Sequence, residues 1–449
     1  MSQSKFTTES KRTLKLAAPI IVGQIGQTLI GLADTIMVGA LGAVALGASA
    51  FAGSIFFVFL VFGMGILAPL AALFARAQGQ DDYPRGGVLL HHGLGITLGV
   101  SFVLIGLLYL LMPRLGYLGQ TAEVLEMGSS FFEIITWSIL PSLLYQNYKQ
   151  FTDGIGKTQI AMWVMTVGLI LNVVGNYVLI HGHYGFPRLG LNGAAYATLV
   201  TRIFMALIMM VYVHQAPSLK KYLTERWSHR FDRHLLKSMM RLGIPNGLTY
   251  LFEVAAFSSA AVMMGWFGAT PLAAHQIAIS MASTSFMITV GIGIASSIRV
   301  GYELGRGDYQ AARYAGFTSI KLGGAYMSLC ALGFFAFREW IPTLYVADVD
   351  VIALTAQLFI VVALFEIFDG IQAVSIGALR GLSDTQWPSI IAFVAYWILG
   401  LPGGYVLAFH LGAGPVGIWV GLLIGLIVAS TLMTWRFHIL SRRFIKEQV

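Results

Sequence analysis

The chain has 449 residues, of which 57% are hydrophobic and only 11% are charged, and its formal net charge is +8 at pH 7. Soluble globular domains usually carry about 25% charged residues, because a surface that faces water needs them. This composition excludes a soluble globular protein and indicates a chain that hides most of its surface in lipid. Cys330 is the single cysteine, so an intramolecular disulfide is impossible.

The N-terminal region starts with a basic segment, Lys5 to Lys15, which is followed by an apolar run from Leu16 to Leu46. A secretory signal peptide has a much shorter apolar core and a cleavage site of small residues. This run is too long for such a core, and it contains Asp34. It therefore predicts the first membrane helix of the protein.

Twelve apolar runs follow one another along the chain, and a helix of about 20 mainly apolar residues is enough to cross a bilayer. The runs are apolar on every face, whereas the strands of a membrane barrel alternate between apolar and polar residues. We therefore predict an all-α polytopic membrane protein with twelve transmembrane helices. The predicted spans are 14–38, 51–75, 88–112, 128–150, 160–181, 191–213, 240–266, 274–299, 316–336, 352–379, 387–410 and 415–437.

Basic residues concentrate on one side of these spans. If the N-terminal tail, every second loop and the C-terminal tail share a side, that side holds all but four of the 28 Lys and Arg residues. The exceptions are Arg114, Arg188 and Arg338, which fall on the other side, and Arg202, which falls inside span 6. The positive-inside rule then places both termini in the cytoplasm. Because orientation in the membrane accounts for the positive charge, we expect no nucleic-acid partner.

The second half of the chain repeats the first half, and the first stretch of the repeat aligns without a gap at an offset of 226 residues. Aligned pairs include Pro19 with Pro245, Met37 with Met263, Gly42 with Gly268, Gly79 with Gly305 and Asp82-Tyr83 with Asp308-Tyr309. We predict an N-terminal lobe over 1–218 with spans 1–6, a cytoplasmic linker over 219–239, and a C-terminal lobe over 240–449 with spans 7–12. Since each lobe has an even number of spans, a pseudo-twofold axis along the membrane normal should relate them, and substrate should bind between them.

Acidic side chains inside the spans are the first candidates for function, because a charged group at the bilayer centre costs about 2.5–3.5 kcal/mol on insertion scales. Asp34, Glu253 and Asp369 lie in spans 1, 7 and 10. The repeat partner of Asp34 is Ala260, and that of Glu253 is Gln27. Each acid is thus specific to one lobe, as expected of sites with separate roles. The alternative interpretation is a buried structural hydrogen bond or an ion pair between helices.

A second acid, Glu366, lies three residues before Asp369 and shares a face of span 10 with it. Two carboxylates on one face repel each other, so the pair either binds a cation or keeps one member protonated. Glu366 could instead lie near the membrane interface. Glu133, near the start of span 4, is interpreted as an interfacial residue.

Span 5 carries Asn172 and Asn176, which are four residues apart and lie on one helix face. Together with Asp34 and Thr198, they offer the carboxylate, amide and hydroxyl oxygens that suit a hard cation such as Na⁺. The alternative is that this asparagine pair only bridges two helices.

Enzyme motifs are missing from the sequence. Gly154 to Thr158 resembles a phosphate loop only superficially, because the pattern needs glycine where this chain has Phe151. Neither G-x-S-x-G nor H-E-x-x-H occurs. We therefore predict a transporter and not an enzyme, with no cofactor beyond a coupling ion.

Several short segments in a fixed order carry a family resemblance. They are Gly31–Met37, Asn172–Tyr177, Gly193–Thr198, Leu251–Glu253, Ala273–Ile277, Ile298–Arg306 and Phe368–Gly381. On the basis of these segments, the chain resembles the MATE (multidrug and toxic compound extrusion) family over nearly the whole length of the chain. Within this family it resembles the NorM-like bacterial branch.

The resemblance implies a secondary antiporter of twelve helices in two lobes, which exports small organic cations such as dyes in exchange for inward Na⁺ or H⁺. It implies that Glu253 and Asp369 are the coupling-cation residues of the C-terminal lobe. It implies the same role for an N-terminal set of polar residues, Asp34, Asn172, Asn176 and Thr198. Gln276 matches a residue of the central cavity, and we expect the substrate cavity to include Asp34, Gln276 and Glu366.

The expected location is the cytoplasmic (inner) membrane of a bacterium, and the self-contained repeat favours a monomer. A first alternative is a flippase or exporter of a lipid-linked or polysaccharide precursor with the same two-lobe architecture. Such a protein should have a strongly cationic cavity, whereas the charge inside these spans is mainly acidic. A second alternative is a membrane receptor or scaffold that transports nothing, against which the intramembrane acids argue.

Overall fold

The computed structural model describes residues 3–223 and 232–447, and all the regular elements in these ranges are helical. The α-helices are α1 Gln3–Gly39, α2 Ala43–Leu67, α3 Leu70–Gly79, α4 Tyr83–Leu111, α5 Ala122–Trp137, α6 Ile139–Gly154, α7 Thr158–His181, α8 Leu191–Gln215, α9 Arg233–Gly265, α10 Ala269–Gly305, α11 Tyr309–Ala336, α12 Val349–Gly381, α13 Gln386–Phe393, α14 Leu401–Tyr405 and α15 Gly414–Lys446. Short 3₁₀ helices cover Met112–Leu118, Pro217–Tyr222 and Ile341–Leu344.

Twelve helical segments in the described ranges are long and apolar enough to cross a membrane, which confirms the predicted class and number of spans. Several helices are longer than the predicted apolar runs. Helix α1 begins at Gln3 and not at residue 14, α9 begins at Arg233 and not at 240, and α15 ends at Lys446 and not at 437. Lys, Arg and Glu are good helix formers, so a helix continues past the end of its apolar stretch.

Three predicted spans are broken instead of continuous. Span 2 divides between α2 and α3 at Pro69, and span 4 divides between α5 and α6 at Ser138, three residues before Pro141. Span 11 has π-helical stretches on both sides of the short helix that contains Pro402. A proline ring clashes with the carbonyl four residues earlier and offers no N–H, so each break lies where a proline disturbs the helix.

Two compact units make up the chain, each with an apolar core of its own. We call Val22–Gly247 the N-unit, and Met1–Ile21 with Leu248–Val449 the C-unit. These bounds differ from the predicted lobe boundaries, since the segment up to Ile21 belongs to the C-unit. Of the predicted linker over 219–239, residues 224–231 lie outside the described ranges.

A buried ion cluster explains why the N-terminal segment belongs to the C-unit. The guanidinium of Arg299 on α10 donates to both carboxylate oxygens of Glu9, at 2.8 and 3.0 Å, and to Glu303 at 2.7 Å. All three side chains are nearly inaccessible. Bidentate pairing of this kind fixes the relative position of two helices, here the start of α1 and the end of α10.

The turns at aligned positions reproduce the repeat in three dimensions. Gly42 before α2 has φ 109° and Gly268 before α10 has φ 112°, a region that favours glycine. Asp82 caps α4 by accepting from the Arg85 N–H, and Asp308 caps α11 by accepting from the Ala311 N–H. Shared turn geometry at positions that the repeat aligns supports the duplication.

Candidate functional site

The N-unit contains a cavity of about 210 Å³. Its wall is built from α1, α2, α6, α7 and α8, and most of its surface is apolar, although polar and charged side chains also line it. The apolar and aromatic lining residues are Ile30, Phe57, Leu60, Met64, Tyr145, Met165 and Met205. The polar and charged ones are Gln27, Asp34, Ser142, Gln146, Asn172, Thr198, Thr201 and Arg202. A concave apolar wall with a few polar groups is typical of a small-molecule site.

Asp34, half-buried on α1, is the acid that lines this cavity. Its Oδ1 accepts a hydrogen bond from Asn176 Nδ2 on α7 at 2.6 Å, and its Oδ2 accepts one from Thr198 Oγ1 on α8 at 3.2 Å. Three helices therefore hold one carboxylate in place. The structure brings together the residues that the sequence predicted as neighbours.

The asparagine pair on α7 extends this polar group. Asn172 Oδ1 accepts from Asn176 Nδ2 at 3.3 Å, and Asn172 Nδ2 donates to Thr198 Oγ1 at 3.4 Å. Both amides are fully buried, and Asn176 Oδ1 has no hydrogen-bond partner among the described residues. Oxygens of Asp34, Asn176 and Thr198 thus offer carboxylate, amide and hydroxyl ligands to a hard cation. Within the described ranges, no group of three or more His, Cys, Asp or Glu side chains could hold a metal ion.

Close packing of α7 on α8 positions these groups. A Cβ added to Gly168 on α7 would lie 2.5 Å from Sδ of Met205 on α8, and one added to Gly193 would lie 2.5 Å from the Leu179 carbonyl oxygen. Glycine at both positions lets the helices approach closely, as in many membrane helix pairs. The approach brings Thr198 within hydrogen-bonding distance of Asn172.

Arg202 on α8 adds a positive charge to the same cavity. Its Nη1 donates to Ser138 Oγ at 2.6 Å, at the break between α5 and α6, and its guanidinium lies 5.1 Å from the centre of the Phe56 ring. Although Arg202 and Asp34 share the cavity, they form no ion pair with each other. The cavity therefore has a carboxylate and a guanidinium that remain separate.

In the C-unit, Glu253 on α9 heads a chain of hydrogen bonds. Its Oε1 accepts from Gln372 Nε2 at 2.5 Å, and Gln372 Oε1 accepts from the Tyr396 hydroxyl at 2.8 Å. Gln372 and Tyr396 are almost completely buried. Residues of two other helical segments thus orient the Glu253 carboxylate.

A cavity of about 30 Å³ adjoins Glu253 and is also lined by Gln372, Tyr250 and Arg380. This volume suits one or two water molecules or a small ion, and it is too small for a drug-sized ligand. Asp369 does not line it, but its buried carboxyl group interacts electrostatically with Glu253 and Glu366. Asp369 therefore links the three acids predicted in spans 7 and 10 electrostatically, and Glu253 is the one of them that lines the cavity.

Glu366 lies in the interior of the C-unit. It is fully buried, and its Oε2 accepts a hydrogen bond from Ser285 on α10 at 2.5 Å. It lines neither of the two cavities described above, and its assignment to a substrate cavity stays a prediction. Gln276 is exposed and also lines neither cavity. Its assignment to a substrate cavity stays a prediction.

Sequence reasoning missed three functional candidates: Gln372, Tyr396 and Ser138. Gln372 lies three residues after Asp369, so helical spacing from a known acid could have identified it. Tyr396 and Ser138 come from distant parts of the chain, and no local pattern indicated them. Arg202 was noticed only as a charge that could neutralise one acid, which the structure shows it does not do by direct pairing.

Half-buried acids that line cavities within twelve membrane-spanning helices define a polytopic membrane transporter. The sequence profile described as MatE matches residues 19–178 and 245–406, one match in each half of the repeat. The chain therefore belongs to the MatE family, as the sequence motifs indicated.

Relatives of similar length support this assignment. The chain is 34% identical over 447 residues to a protein named "Probable multidrug resistance protein NorM" from Rhizobium meliloti (strain 1021), covering 98% of this chain and 96% of the relative. It is also 34% identical to "Multidrug resistance protein MdtK" from Pectobacterium atrosepticum, covering 98% of this chain and 97% of the relative. These similarities confirm the NorM-like bacterial branch.

Solved structures show the same fold. The eukaryotic MATE transporter AtDTX14 superposes with a TM-score of 0.87 at 22% identity, covering 99% of this chain and 100% of the other. A MATE protein in the bent conformation gives a TM-score of 0.89 at 20% identity, covering 98% and 97%. At this level of identity the likeness concerns the fold alone.

Proposed function

We propose that this protein is a secondary active antiporter that exports small organic cations in exchange for inward Na⁺ or H⁺. The observation that carries the proposal is the Asp34 carboxylate, which three helices hold at the wall of a cavity of about 210 Å³ inside a membrane-spanning unit. The names of its relatives, which refer to multidrug resistance, support an export role for the same architecture.

In this proposal, Asp34 attracts the positive charge of the substrate while Met64, Met165 and Met205 provide an adaptable apolar wall. Thioether side chains have several rotatable bonds and adjust to ligands of different shape. The carboxylate is the attachment point for the coupling ion as well, so Na⁺ or H⁺ bound there lowers the affinity for the substrate. This coupling is reciprocal, because each ligand must weaken the binding of the other by the same factor.

The acid cluster of the C-unit, formed by Glu253, Asp369 and Glu366, provides a second place for the coupling ion. Of these acids, Glu253 lines a cavity of about 30 Å³, which matches an ion or water better than a drug. Gln372 and Tyr396 keep the Glu253 carboxylate oriented toward that cavity. We therefore assign ion binding, and not substrate contact, to this cluster.

In this proposal the binding sites open to the cytoplasm and to the outside in turn, which is called alternating access. Net export by this mechanism needs a defined orientation of the protein in the membrane. We propose a monomer in the cytoplasmic membrane of a bacterium with both termini in the cytoplasm, which the distribution of Lys and Arg supports. The net charge of +8 then follows from the Lys and Arg residues that mark the cytoplasmic side.

The proposal is tested with purified protein in proteoliposomes that contain a fluorescent organic cation. Asp34→Asn, Glu253→Gln and Asp369→Asn should each slow efflux about tenfold or more. Glu133→Gln is the matched control, because Glu133 is an exposed acid in the helix α5 and lines neither cavity. Efflux at the wild-type rate in all three acid variants would overturn the proposal.

A second measurement assigns the coupling ion. Efflux is first measured with an inward Na⁺ gradient at equal pH on both sides of the membrane. It is then measured without Na⁺, with an inward proton gradient. Na⁺ coupling predicts loss of efflux in the second condition, and H⁺ coupling predicts that efflux persists. If neither gradient accelerates efflux, the chain is not a cation-coupled antiporter.

A further inference from the structure

A group of basic and aromatic side chains lies at one end of the C-unit, where the start of α11 packs against the end of α15. On each helix these side chains are three or four residues apart, so they share a helix face. They are Arg313, Phe317 and Lys321 on α11, and Trp435, His438 and Arg442 on α15. We call these six residues the basic patch. The distribution of Lys and Arg along the chain assigns this end of the helices to the cytoplasm.

Hydrogen bonds join the two sides of the basic patch. Arg313 Nη1 donates to the His438 carbonyl oxygen at 2.8 Å and to Ser441 Oγ at 2.6 Å, and Arg313 Nη2 lies 2.9 Å from His438 Nδ1. The centre of the Phe317 ring lies 4.9 Å from the Arg313 guanidinium carbon and 6.0 Å from the centre of the His438 ring. These contacts fix the position of the Arg313 guanidinium before any ligand binds.

The positive charges of the basic patch have no carboxylate partner among the described residues. Arg442 acts electrostatically on both Arg313 and His438, so two guanidinium groups lie near each other. Neither of these arginines forms an ion pair within the described ranges, and the same holds for Lys321. Because like charges repel, an anion that binds beside both guanidinium groups stabilises this arrangement.

Other arginines near the end of α15 are neutralised by acids. Arg436 pairs with Asp384 at 2.7 Å, and Arg443 pairs with Glu447 at 2.7 Å. Arg442 lies directly before Arg443 in the sequence, yet it has no such partner in the part of the chain that the structure describes. The excess of positive charge is therefore specific to the basic patch.

The surroundings of the basic patch resemble the boundary between lipid and water. Trp435 is 61% exposed and Ile439 is 41% exposed, so both present apolar surface to the outside of the helix bundle. Tryptophan is enriched at the headgroup level of a bilayer. Lys321 is exposed within a membrane-spanning helix, and the long stem of a lysine lets its ammonium group reach the nearby interface.

We propose that the basic patch binds the phosphate group of an anionic phospholipid from the cytoplasmic leaflet. The exposed guanidinium of Arg442 donates hydrogen bonds to the phosphate oxygens, a geometry that suits arginine well. Arg313 adds its fixed positive charge, and Lys321 reaches the same headgroup from the membrane side. The acyl chains pack against Trp435 and Ile439. The exposed apolar side chains favour a lipid over a free phosphate ion.

The test measures binding of three probes to the delipidated full-length protein in detergent. The probes are dioleoylphosphatidylglycerol, which is anionic, dioleoylphosphatidylcholine, which is zwitterionic, and inorganic phosphate. Native mass spectrometry counts the bound lipids, and the thermal unfolding midpoint reports stabilisation by each probe. The variants are Arg442→Gln, Lys321→Gln and the double variant. Arg443→Gln is the matched control, because it removes the next positive charge on the same helix, which is paired with Glu447.

We expect the wild-type protein to bind phosphatidylglycerol about tenfold more tightly than phosphatidylcholine. Arg442→Gln should weaken the binding of phosphatidylglycerol about fivefold, which is the usual contribution of one basic residue near an anionic lipid surface. Lys321→Gln should weaken it several-fold, and the double variant more than either single variant. Arg443→Gln should change it less than about twofold, and the binding of phosphatidylcholine should be the same in all variants.

Three results would overturn the inference. The wild-type protein could bind both phospholipids equally, or Arg442→Gln and Arg443→Gln could weaken binding to the same extent, which would reduce the effect to net charge. Inorganic phosphate could raise the unfolding midpoint as much as phosphatidylglycerol does, which would make the ligand a soluble anion. If Arg442→Gln does not fold, the comparison of Lys321→Gln with Arg443→Gln decides the question. Transport is not measured, so the result is independent of the proposed export function.

Discussion

At the residue scale, the central feature is a carboxylate that is held by partners from two other helices. Asp34 accepts bonds from Asn176 and Thr198, and the Asn172 amide in turn contacts both of these residues. Such a network fixes the direction of the carboxylate before any ligand arrives. Preorganisation of this kind lowers the cost of binding, because fewer rotamers are lost on association.

The hydroxyl of Thr198 provides a sharp test of this network. Thr198→Val keeps the shape of the side chain and removes the donor to Asp34 Oδ2, so ion-coupled efflux should fall several-fold. Asn176→Ala removes the shorter bond of 2.6 Å and should lower efflux about tenfold or more. Efflux of an organic cation from proteoliposomes is the measurement.

Thr166→Val is the control for these variants, because the Thr166 hydroxyl donates to the carbonyl of Met162 in its own helix, away from Asp34. It should transport at the wild-type rate. If Thr198→Val behaves like this control and Asn176→Ala does too, the hydrogen bonds around Asp34 have no part in transport.

At the element scale, small residues decide how closely helices pack. Along α15, Gly421 and Gly425 face the irregular segment that runs through α13, α14 and the π-helical stretches. A Cβ at Gly421 would lie 2.2 Å from the Gly404 backbone nitrogen, and one at Gly425 would lie 2.5 Å from the Ala395 carbonyl oxygen. Two backbones in direct contact leave no space for a side chain.

We therefore expect Gly421→Ala to destabilise the protein by about 1–3 kcal/mol or more, since it forces two backbones apart. Gly403→Ala is the matched control, because nothing lies within 4 Å of the position of its added Cβ. The thermal unfolding midpoint of the detergent-purified protein is the readout. Equal midpoints for the two variants would contradict the packing described here.

The ion cluster that joins the start of α1 to α10 leads to a second prediction at this scale. Arg299→Met leaves Glu9 and Glu303 buried without their common cation, and breaking a buried pair in this way costs about 3–5 kcal/mol. Arg443→Met is the comparison, since Arg443 pairs with Glu447 in an exposed position where a salt bridge contributes about 0–1 kcal/mol.

Chemical denaturation in detergent measures both changes in the free energy of unfolding. The double variant Glu9→Gln with Glu303→Gln, added to Arg299→Met, should recover part of the lost stability because it removes buried negative charges that only the exposed Arg12 and Arg306 would then balance. Similar losses for Arg299→Met and Arg443→Met would show that the cluster is not a stabilising contact.

At the scale of the whole molecule, the direction of transport depends on how the protein is oriented in the membrane. In a Cys330→Ala background, Tyr184→Cys places a thiol in the exposed turn between α7 and α8, and Gln80→Cys places one in the turn between α3 and α4. With both termini cytoplasmic, only the first should react with a membrane-impermeant maleimide in intact cells. Both should react after the cells are permeabilised, and the reverse pattern in intact cells would reverse the topology.

The sequence was sufficient for the fold class, the number of spans and the family, because apolar length and the internal repeat are local or periodic signals. It also identified Asp34, Asn172, Asn176 and Thr198 as neighbours, since family motifs and helical spacing placed them on facing helices. It did not predict the breaks near Pro69 and Pro141, although both prolines are visible in the sequence.

Only the tertiary structure decided the surroundings of each polar group. It placed Glu366 on Ser285 and away from both cavities, gave Glu253 its partners Gln372 and Tyr396, and kept Arg202 apart from Asp34 in their shared cavity. The physical reason is that helix periodicity specifies which residues share a face. Whether that face meets another helix or a cavity depends on how helices distant in sequence pack together.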